Sequence, residues 1–412
     1  MKHTFVLCLL LLAAQARADQ WEPLEDSPLQ DRRSVFTFSI GDKGYVGGGQ
    51  DATGLYHSDF WEYDPSSDTW TQKLDFPGGP RVGMIGFSID GIGYAGLGYG
   101  VAGGMDFKND IWQYNPVSDT WTQKNDFGGA PRSNAVVFVI NGNAYVGTGE
   151  YLPYCYADFW KYDPAQDSWT PYMNFPGATR RGGIAFSING KGYVGGGRCY
   201  INSFYNDFWE YDPTTNVWTQ KADIWDTARY NCVGFAIGNK GYAGLGWGAN
   251  IEHDLREYDP ATDTWTQKSD FAGEGRNEAA AFVIGDKAYV GLGWINGVGF
   301  GDLVDAVFFN DFYSYTPDTE TSVNALVEGA SVSLYPNPSY DETTVHLRLA
   351  RFGDVTVDVI DLVGRVLQTG VYESQPAGAH SYRIDIKAYL PGVYLIKVSD
   401  GVNRHTLKLI KQ

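Results

Sequence analysis

The sequence predicts an all-β chain: a six-bladed β-propeller closed by an N-terminal strand, followed by a small β-sandwich. Three observations lead to this prediction. A motif with a period near fifty residues returns six times, each copy reads as four short strands, and the sixth copy lacks its last strand. A repeat that cannot bury its apolar face alone must stack on its neighbours, so such a chain forms a ring or an array.

The repeat keeps the same residue types at the same distances in all six copies. Each copy begins at a tryptophan: Trp21, Trp70, Trp121, Trp169, Trp218 and Trp265. An arginine follows eleven residues later: Arg32, Arg81, Arg132, Arg180, Arg229 and Arg276. After a phenylalanine and a tyrosine, an aspartate opens the third strand: Asp59, Asp110, Asp158, Asp207, Asp254 and Asp311. Only the interval from tyrosine to aspartate varies, from 12 to 22 residues, so every length change falls in one loop.

Each copy contains signals for four antiparallel strands. The first strand ends in a tight turn such as Asp90-Gly91 or Asn141-Gly142, which is typical of a β-hairpin. The second strand is glycine-rich, from Gly44 in the first copy, and glycine allows neighbouring sheets to approach closely. The third strand reads Asp-Phe-Trp-Glu-Tyr or a variant, and the fourth carries the tryptophan. A four-stranded sheet repeated radially is a propeller blade.

The incomplete sixth copy predicts how the ring closes. Ser322 stands where the sixth copy should place its next tryptophan, so this blade lacks a fourth strand. The chain start offers a spare strand at Trp21. Pairing of this strand onto the last blade would remove an exposed sheet edge and close the ring.

These repeats resemble kelch repeats over roughly residues 20 to 320, through the glycine-rich second strand, the Tyr-Asp-Pro turn and the spaced Tyr and Trp. The resemblance implies the propeller fold, whereas kelch propellers serve as binding modules, sugar-active enzymes and copper oxidases. A copper site needs histidine ligands, and the propeller has only His57 and His253, in blades that are not adjacent. We therefore expect no metal and no cofactor.

The two ends of the chain read as targeting segments. Residues 1–18 combine an apolar run with a small-x-small cleavage site, which predicts a secretory signal peptide. The propeller is expected over 19–321 and a polar linker over 322–330. No other stretch is long and apolar enough to predict a transmembrane segment.

Residues 331–412 predict a small β-sandwich of alternating strands. This region resembles the C-terminal sorting domain of type IX secretion cargo of Bacteroidota, through Tyr335-Pro-Asn-Pro, Gly364-Arg365 and a basic last strand. The resemblance implies recognition by the secretion machinery, passage through the periplasm and across the outer membrane, and removal of the domain. The protein is then expected to be secreted or held on the outer cell surface.

The charge balance excludes one class of partner. The net charge is −18, and residues 1–330 alone hold 22 Lys and Arg against 41 Asp and Glu. An acidic body does not bind nucleic acid through bulk charge, so we expect no nucleic-acid partner. We expect a monomeric propeller that is soluble outside the cell.

The variable loops and the six arginines share one face of the predicted disc, here called the loop face, because strands alternate in direction. Two interpretations of the arginines are open: a grip on an anionic ligand, or pairing with the six aspartates of the same face. A feature repeated sixfold favours the structural pairing. Cys155 and Cys199 lie in loops of neighbouring blades, and in an oxidising exterior either a disulfide or two free thiols is open to them, whereas Cys232 reads as a core residue.

A ligand site is more plausible where the symmetry breaks. Three tryptophans fall outside the repeat, in one sector of the loop face, and other blades carry polar or aromatic residues at the equivalent position. The candidate ligand-binding residues are Trp225, Trp247, Trp294, Arg229, Arg198, Glu150, Gln50 and Tyr99. Arg276 and Glu278 are the best-placed acid/base pair. Indole rings beside polar groups suit a sugar, and the alternative is that these tryptophans only pack against the blade-six loop.

Two functions from different classes remain open. The first is a non-catalytic binding module for a glycan or a protein, and this is the function we expect. The second is a sugar-active enzyme that resembles the sialic-acid mutarotases, which are also six-bladed kelch propellers. An enzyme of that kind needs little more than an acid, a base and an arginine for the anion.

Overall fold

The computed structural model describes residues 19–100, 106–199, 203–295, 306–318, 332–335, 337, 339–349, 353–361, 365–399 and 404–412. Every regular element in these ranges is a β-strand. The chain divides into two compact units, Met1–Thr319 and Glu320–Gln412. The predicted signal peptide and the predicted linker lie outside the described residues.

The first unit contains six four-stranded antiparallel sheets, named blades 1 to 6 in chain order. Blades 1 and 2 comprise Phe36–Ile40, Lys43–Gly47, Phe60–Asp64 and Thr69–Lys73, then Ile85–Ile89, Ile92–Gly96, Ile111–Asn115 and Thr120–Gln123. Blades 3 and 4 comprise Val136–Ile140, Asn143–Gly147, Phe159–Asp163 and Ser168–Tyr172, then Ile184–Ile188, Lys191–Gly195, Phe208–Asp212 and Val217–Lys221. Blades 5 and 6 comprise Val233–Ile237, Lys240–Gly244, Leu255–Asp259 and Thr264–Gln267, then Ala280–Ile284, Lys287–Gly291, Phe312–Thr316 and the N-terminal Gln20–Pro23.

The N-terminal strand completes blade 6, as the sequence predicts. Gln20–Pro23 pairs antiparallel with Phe312–Thr316, and Trp21 lies opposite Tyr315 with ring centroids 4.9 Å apart. The first strands of the six blades contact one another in a closed circle around a central channel. The edge that blade 6 would otherwise expose is therefore paired.

The glycine-rich second strand is required by close packing between blades. A Cβ atom added at Gly192 of blade 4 would lie 2.2 Å from the Phe138 ring of blade 3, and one at Gly93 of blade 2 would lie 2.4 Å from Phe38 of blade 1. Blades 3 and 6 carry the fully buried Ala144 and Ala288 at the equivalent position. The small residue lets the aromatic ring of the preceding blade lie flat against the strand.

Short two-residue strands extend the loops of the first unit. They are Arg32–Arg33 with Gln50–Asp51, Tyr99–Gly100 with Arg81–Val82 and Asp106–Phe107, Glu150–Tyr151 with Tyr154–Cys155, and Trp294–Ile295 with Val307–Phe308. They lie beside the repeated arginine or in the loop between the second and third strands. The loop face is therefore partly ordered by backbone hydrogen bonds rather than by side chains alone.

The second unit is the predicted β-sandwich. One sheet comprises Val332–Tyr335, Glu342–Leu349 and Gly378–Asp385, and the other comprises Val366–Gln375, Gly353–Ile360, Gly392–Ser399 and Arg404–Lys411. Val345 and Leu347 of the first sheet and Val357 and Ile396 of the second belong to one buried apolar cluster. Alternating inward-facing residues of the two sheets thus form a common core.

Candidate functional site

The six repeated arginines are structural. All six are at most 4% exposed. Each precedes the first strand of a blade and donates to the aspartate that precedes the third strand of the same blade. The pairs are Arg32–Asp59, Arg81–Asp110, Arg132–Asp158, Arg180–Asp207, Arg229–Asp254 and Arg276–Asp311. In Arg180 the two terminal nitrogens lie 2.6 and 2.8 Å from the two Asp207 oxygens. The predicted pairing is confirmed, and these guanidinium groups are committed to it.

A ring of left-handed residues lies two positions after these arginines. Its members are Ser34, Gly83, Asn134, Gly182, Asn231 and Glu278, with φ between 52° and 64°. Backbone amides connect neighbours around this left-handed ring, for example Asn231 N–H to the Gly182 carbonyl at 2.8 Å and Glu278 N–H to the Asn231 carbonyl at 3.1 Å. Glycine and asparagine adopt such a φ at low cost, whereas glutamate does so only where the surroundings impose it.

A cavity of about 560 Å³ opens on the loop-face side of the left-handed ring. A smaller one of about 200 Å³ lies on its other side, within the channel. The lining of the large cavity, here called the central cavity, includes Arg33, Gln50, Tyr56, Tyr99, Asn134, Glu150, Leu152, Arg181, Arg198, Tyr230, Asn231, Trp247, Glu278 and Trp294. Its volume lies in the range of small-molecule sites.

The charges of the central cavity oppose those of the body around it. Three guanidinium groups, of Arg33, Arg181 and Arg198, face two carboxylates, of Glu150 and Glu278. Residues 1–330 carry a formal charge of −19. A positive cavity in an acidic body concentrates the field on a small anion and repels a large polyanion.

Glu278 is held by three donors. Its carboxylate lies 3.0 Å from a terminal nitrogen of Arg33 and 2.8 Å from the amide nitrogen of Asn231, and it accepts from the hydroxyl of Ser34. The residue is one of the left-handed ring, with φ of 54°. This set of contacts supplies the surroundings that keep a glutamate in a strained backbone conformation.

Glu150 is the more deeply buried carboxylate, at 4% exposure. Its oxygens lie 2.9 Å from the Arg181 Nε and 3.1 Å from the amide nitrogen of Asn134. Burial raises the pKa of Glu150, and the nearby Arg181 only partly offsets that rise. Glu150 therefore takes up a proton more readily than an exposed glutamate.

Arg198 is the cation without a carboxylate partner among the described residues. Its guanidinium stacks 3.9 Å above the Tyr230 ring, and its Nε is buried with no hydrogen-bond partner in the described part of the chain. Burial lowers the pKa of Arg198, and the neighbouring Arg181 lowers it further. A buried cation that faces a second cation is stabilised by an anion that enters the cavity.

The tryptophans of this sector have different environments. Trp247 lines the central cavity beside Tyr230, with ring centroids 5.9 Å apart. Trp294 also lines the cavity, yet it is only 6% exposed and lies between Arg33, at 4.3 Å, and Phe308, at 5.6 Å. Trp294 therefore combines packing against the blade-six loop with a place in the cavity wall, so both alternatives apply to it.

Three predicted site residues lie elsewhere. Trp225 is 2% exposed and packs in the core of blade 4, and Arg229 stacks on it at 4.4 Å while paired with Asp254. Arg276 is fully buried against Asp311 and does not accompany Glu278 as an acid/base partner. Trp225 follows the strand-four tryptophan Trp218 by seven residues, and its ring is buried in an apolar core cluster. The other seven predicted residues are together in the cavity wall: Gln50, Tyr99, Glu150, Arg198, Trp247, Glu278 and Trp294.

Several cavity residues were not predicted, among them Arg33, Arg181 and Tyr230. A signal for them exists at the position directly after the repeated arginine. The six copies carry Arg33, Val82, Ser133, Arg181, Tyr230 and Asn277 there. This variation is easily missed because the preceding arginine is the same in every copy. It indicates that the cavity wall is asymmetric although the propeller is built from repeats.

A disulfide joins two loops of the cavity wall. Cys155 and Cys199 are bonded, with Cα atoms 5.8 Å apart. Cys155 pairs with Glu150 in a two-residue hairpin, and Cys199 directly follows Arg198. The bond therefore ties the segment that carries the buried carboxylate to the segment that carries the unpaired guanidinium.

Two further observations concern the described residues. Within the described ranges, no helix is long and apolar enough to cross a membrane. No group of three or more His, Cys, Asp and Glu side chains among them is arranged to hold a metal ion.

Comparison with known families agrees with this architecture. Residues 11–178 match the model of the KLHDC2/KLHL20/DRC7 Kelch-repeats domain, and residues 333–412 match the Secretion system C-terminal sorting domain. The chain is a kelch-repeat β-propeller protein with a C-terminal sorting domain. That domain supports export through the type IX system to the cell surface or extracellular space, and it implies interaction with the secretion machinery.

Curated relatives cover only part of the kelch-repeat chain. N-acetylneuraminate epimerase 2 of Escherichia coli O6:H1 is 30% identical over 151 residues, which are 36% of this chain and 39% of that protein. N-acetylneuraminate epimerase of Shigella flexneri serotype 5b is 35% identical over 107 residues, 26% of this chain and 28% of that protein. The chain thus spans less than two fifths of the length of these relatives.

A solved structure described as "Structure of YjhT" superimposes on the kelch-repeat chain with a TM-score of 0.59. The match covers 71% of this chain and 97% of that one at 17% identity. At this level of identity the likeness concerns the fold alone.

Proposed function

We propose that the kelch propeller is an exported binding module whose central cavity holds a sugar that carries a carboxylate. The observation that carries this proposal is the guanidinium of Arg198, which is half-buried, unpaired with any described carboxylate and placed beside Arg181. A ligand carboxylate in the cavity would supply the missing partner. Glu150 and Glu278 do not fill this role, because Arg181 and Arg33 hold them.

The remaining wall suits the rest of a sugar. Trp247, Trp294 and Tyr99 offer apolar ring surface to C–H groups, while Gln50, Asn134 and Asn231 offer amide groups to hydroxyls. Few converging polar groups on an aromatic background are typical of small-ligand sites. The identity of the relatives as N-acetylneuraminate epimerases supports an acidic sugar, although it concerns proteins that this chain matches only in part.

The test is proton NMR of the purified protein with a panel of N-acetylneuraminate, glucuronate, galacturonate and neutral glucose. We expect saturation transfer to one or more acidic sugars, none to glucose, and loss of the signal in Arg198→Met. Arg365→Met in the full-length protein is the control, because it removes an exposed guanidinium of the second unit, which pairs with Asp361. Equal transfer to glucose and the acids, or an unchanged signal in Arg198→Met, would refute the proposal.

A second candidate function is an epimerase that acts on the anomeric centre of the same sugar. Glu150 and Glu278 favour it, since burial raises the pKa of Glu150 while donors of Arg33, Ser34 and Asn231 hold Glu278. One carboxylate would take the anomeric hydroxyl proton while the other protonates the ring oxygen. The ring C–O bond then opens to a carbonyl, and reclosure on the other face gives the other anomer.

The same NMR samples separate binding from catalysis. Exchange between the proton signals of the α- and β-anomers that disappears in both Glu150→Gln and Glu278→Gln would assign the enzymatic function. Saturation transfer with the uncatalysed exchange rate would assign the binding module. Arg276, named beside Glu278 in the sequence, is excluded from the acid/base pair by its burial against Asp311.

We further propose that export removes both ends of the chain. Residues 1–18 would leave as a signal peptide and residues 331–412 after passage across the outer membrane, so the propeller is released or held on the surface. Mass spectrometry of the exported protein tests this, with a new N-terminus near residue 19 as the expected result. Deletion of 331–412 should retain the protein inside the cell, and undiminished export would contradict the proposal.

A further inference from the structure

One short hairpin connects the inside of the central cavity to its outer rim. Glu150–Tyr151 pairs with Tyr154–Cys155, and this segment is here called the rim hairpin. Its first residue, Glu150, is 4% exposed in the cavity wall, whereas Tyr151, Leu152 and Tyr154 are 42, 44 and 65% exposed. Leu152 belongs to both environments, because it also lines the cavity.

The exposed side chains of the rim hairpin continue an aromatic strip from the cavity wall. The Tyr56 and Tyr99 rings line the cavity and lie 5.8 Å apart. Phe107 follows at 5.4 Å from Tyr99, and Tyr151 at 4.8 Å from Phe107. A series of ring contacts, which passes through the buried Phe107, thus joins the cavity wall to the rim hairpin.

The rim hairpin is fixed rather than free. The disulfide between Cys155 and Cys199 ties its last residue to the loop that carries Arg198. Tyr151 also rests on the buried Phe107. Aromatic side chains on a fixed backbone lose little conformational entropy when a ligand covers them, so they are suited to binding.

The charges of the two regions differ. The central cavity holds three guanidinium groups, whereas residues 151–154 of the rim hairpin, Tyr-Leu-Pro-Tyr, carry no charge. A ligand that occupies both regions therefore has an anionic end and a neutral, partly apolar continuation. A sugar chain with one terminal acidic residue has this pattern, and its neutral rings present C–H faces to tyrosine.

We propose that the rim hairpin is a second sugar subsite, so that the ligand is a neutral glycan chain with an acidic sugar at its end. The proposal rests on the proposed binding of an acidic sugar in the central cavity. The terminal residue enters the cavity, and the next sugar lies on Tyr151 and Tyr154. A free monosaccharide would leave the aromatic rim uncovered.

Calorimetry with two probes of the same anomeric configuration tests the subsite. The probes are the methyl α-glycoside of N-acetylneuraminate and the trisaccharide in which the same sugar is α-linked to lactose. We expect the trisaccharide to bind the full protein at least about tenfold more tightly, since each aromatic contact contributes about two- to tenfold. Tyr154→Ala should reduce trisaccharide affinity about fivefold and leave the methyl glycoside unchanged.

Controls separate the failure of the subsite from the failure of the cavity. Tyr340→Ala removes a tyrosine of similar exposure, 67%, in the second unit and should change neither affinity. Equal affinities for the two probes would overturn the subsite and leave the cavity proposal intact, and this is also the result if the rim serves a protein partner. A tighter trisaccharide that is insensitive to Tyr154→Ala and Tyr151→Ala would overturn the assignment to the rim hairpin. No binding of either probe would overturn both proposals.

Discussion

Two layers of neighbouring residues around the propeller axis differ in symmetry and in role. The six arginines that open the repeat are identical in every blade, buried and paired with aspartate. The residues directly after them differ from blade to blade, and Arg33, Arg181 and Tyr230 of this set line the central cavity. The charges that recur with the fold period are paired within the fold, whereas the arginines that break the period line the cavity.

The comparison predicts the largest loss of stability at a repeated arginine. Arg180→Met should lower the free energy of unfolding by about 3 kcal/mol, because it removes the cation that pairs with Asp207 and the donor to the Gly196 carbonyl. Urea unfolding followed by tryptophan fluorescence measures this. Arg198→Met, which takes no partner from a described carboxylate, is the control and should cost about 1 kcal/mol or less. Equal losses in the two variants would remove the distinction between the layers.

Substitution of a repeated glycine, like that of a repeated arginine, should lower stability. Gly192→Ala places a methyl group 2.2 Å from the Phe138 ring, so we expect a loss of about 2 kcal/mol in unfolding free energy. Ligand affinity of the folded protein should not change. Gly190→Ala provides the control, since a Cβ there meets no atom within 4 Å and only the positive φ opposes it. A Gly192→Ala protein as stable as the parent would mean that the blades separate to admit the methyl group.

Arg198, which is not part of the repeat, should contribute to ligand affinity and little to stability. Arg198→Met should reduce affinity for an acidic sugar about 20-fold, since a charge-assisted hydrogen bond contributes about 1.5 to 3 kcal/mol. Its unfolding free energy should stay within about 1 kcal/mol of the parent, because no described carboxylate loses a partner. Calorimetry and urea unfolding on one preparation give both values. A large loss of stability without loss of affinity would place Arg198 in the structural layer.

The smallest expected effect is a pH dependence of binding through Glu150. Burial raises the pKa of Glu150, which is faced by Arg181 and Asn134 and, farther away, by Arg198 and Glu278. As the pH falls towards that raised pKa, Glu150 takes up a proton, and the cavity becomes more positive. Affinity for an acidic sugar should therefore rise about threefold as the pH falls from about 8 towards the raised pKa of Glu150. Calorimetry across this range should show a flat profile for Glu150→Gln, and an unaltered slope in that variant would assign the effect to another group.

The fold could be predicted from the sequence because its signals are local and repeated. The invariant spacing from Trp70 to Arg81 specifies one blade. Six copies outweigh a local exception such as Arg256, which replaces the third-strand tryptophan in blade 5. Even the closure of the ring followed from a missing tryptophan at Ser322 and a spare strand at Trp21. The predicted arginine–aspartate pairing succeeded for the same reason, since both partners recur at fixed distances.

The site could be predicted only in part. Residues at the end of the second strand, such as Glu150 and Trp247, were found because their position is equivalent in every blade. Trp225 was misassigned to the ligand site because sequence alone does not tell whether a loop tryptophan turns outward or enters a blade core. Arg33 and Arg181 were overlooked because each directly follows an invariant arginine. Only the structure shows that the disulfide joins the rim hairpin to the segment that carries Arg198.

The pairing of Gln20–Pro23 with Phe312–Thr316 has a consequence for the order of events in folding. These strands are separated by almost the whole propeller, so their contact is among the slowest to form by loop closure. During folding, the first strand has no partner in its blade until Phe312–Thr316 has joined blade 6. The blades therefore form an open chain until these two strands pair. Loss of either strand would reopen the ring at blade 6.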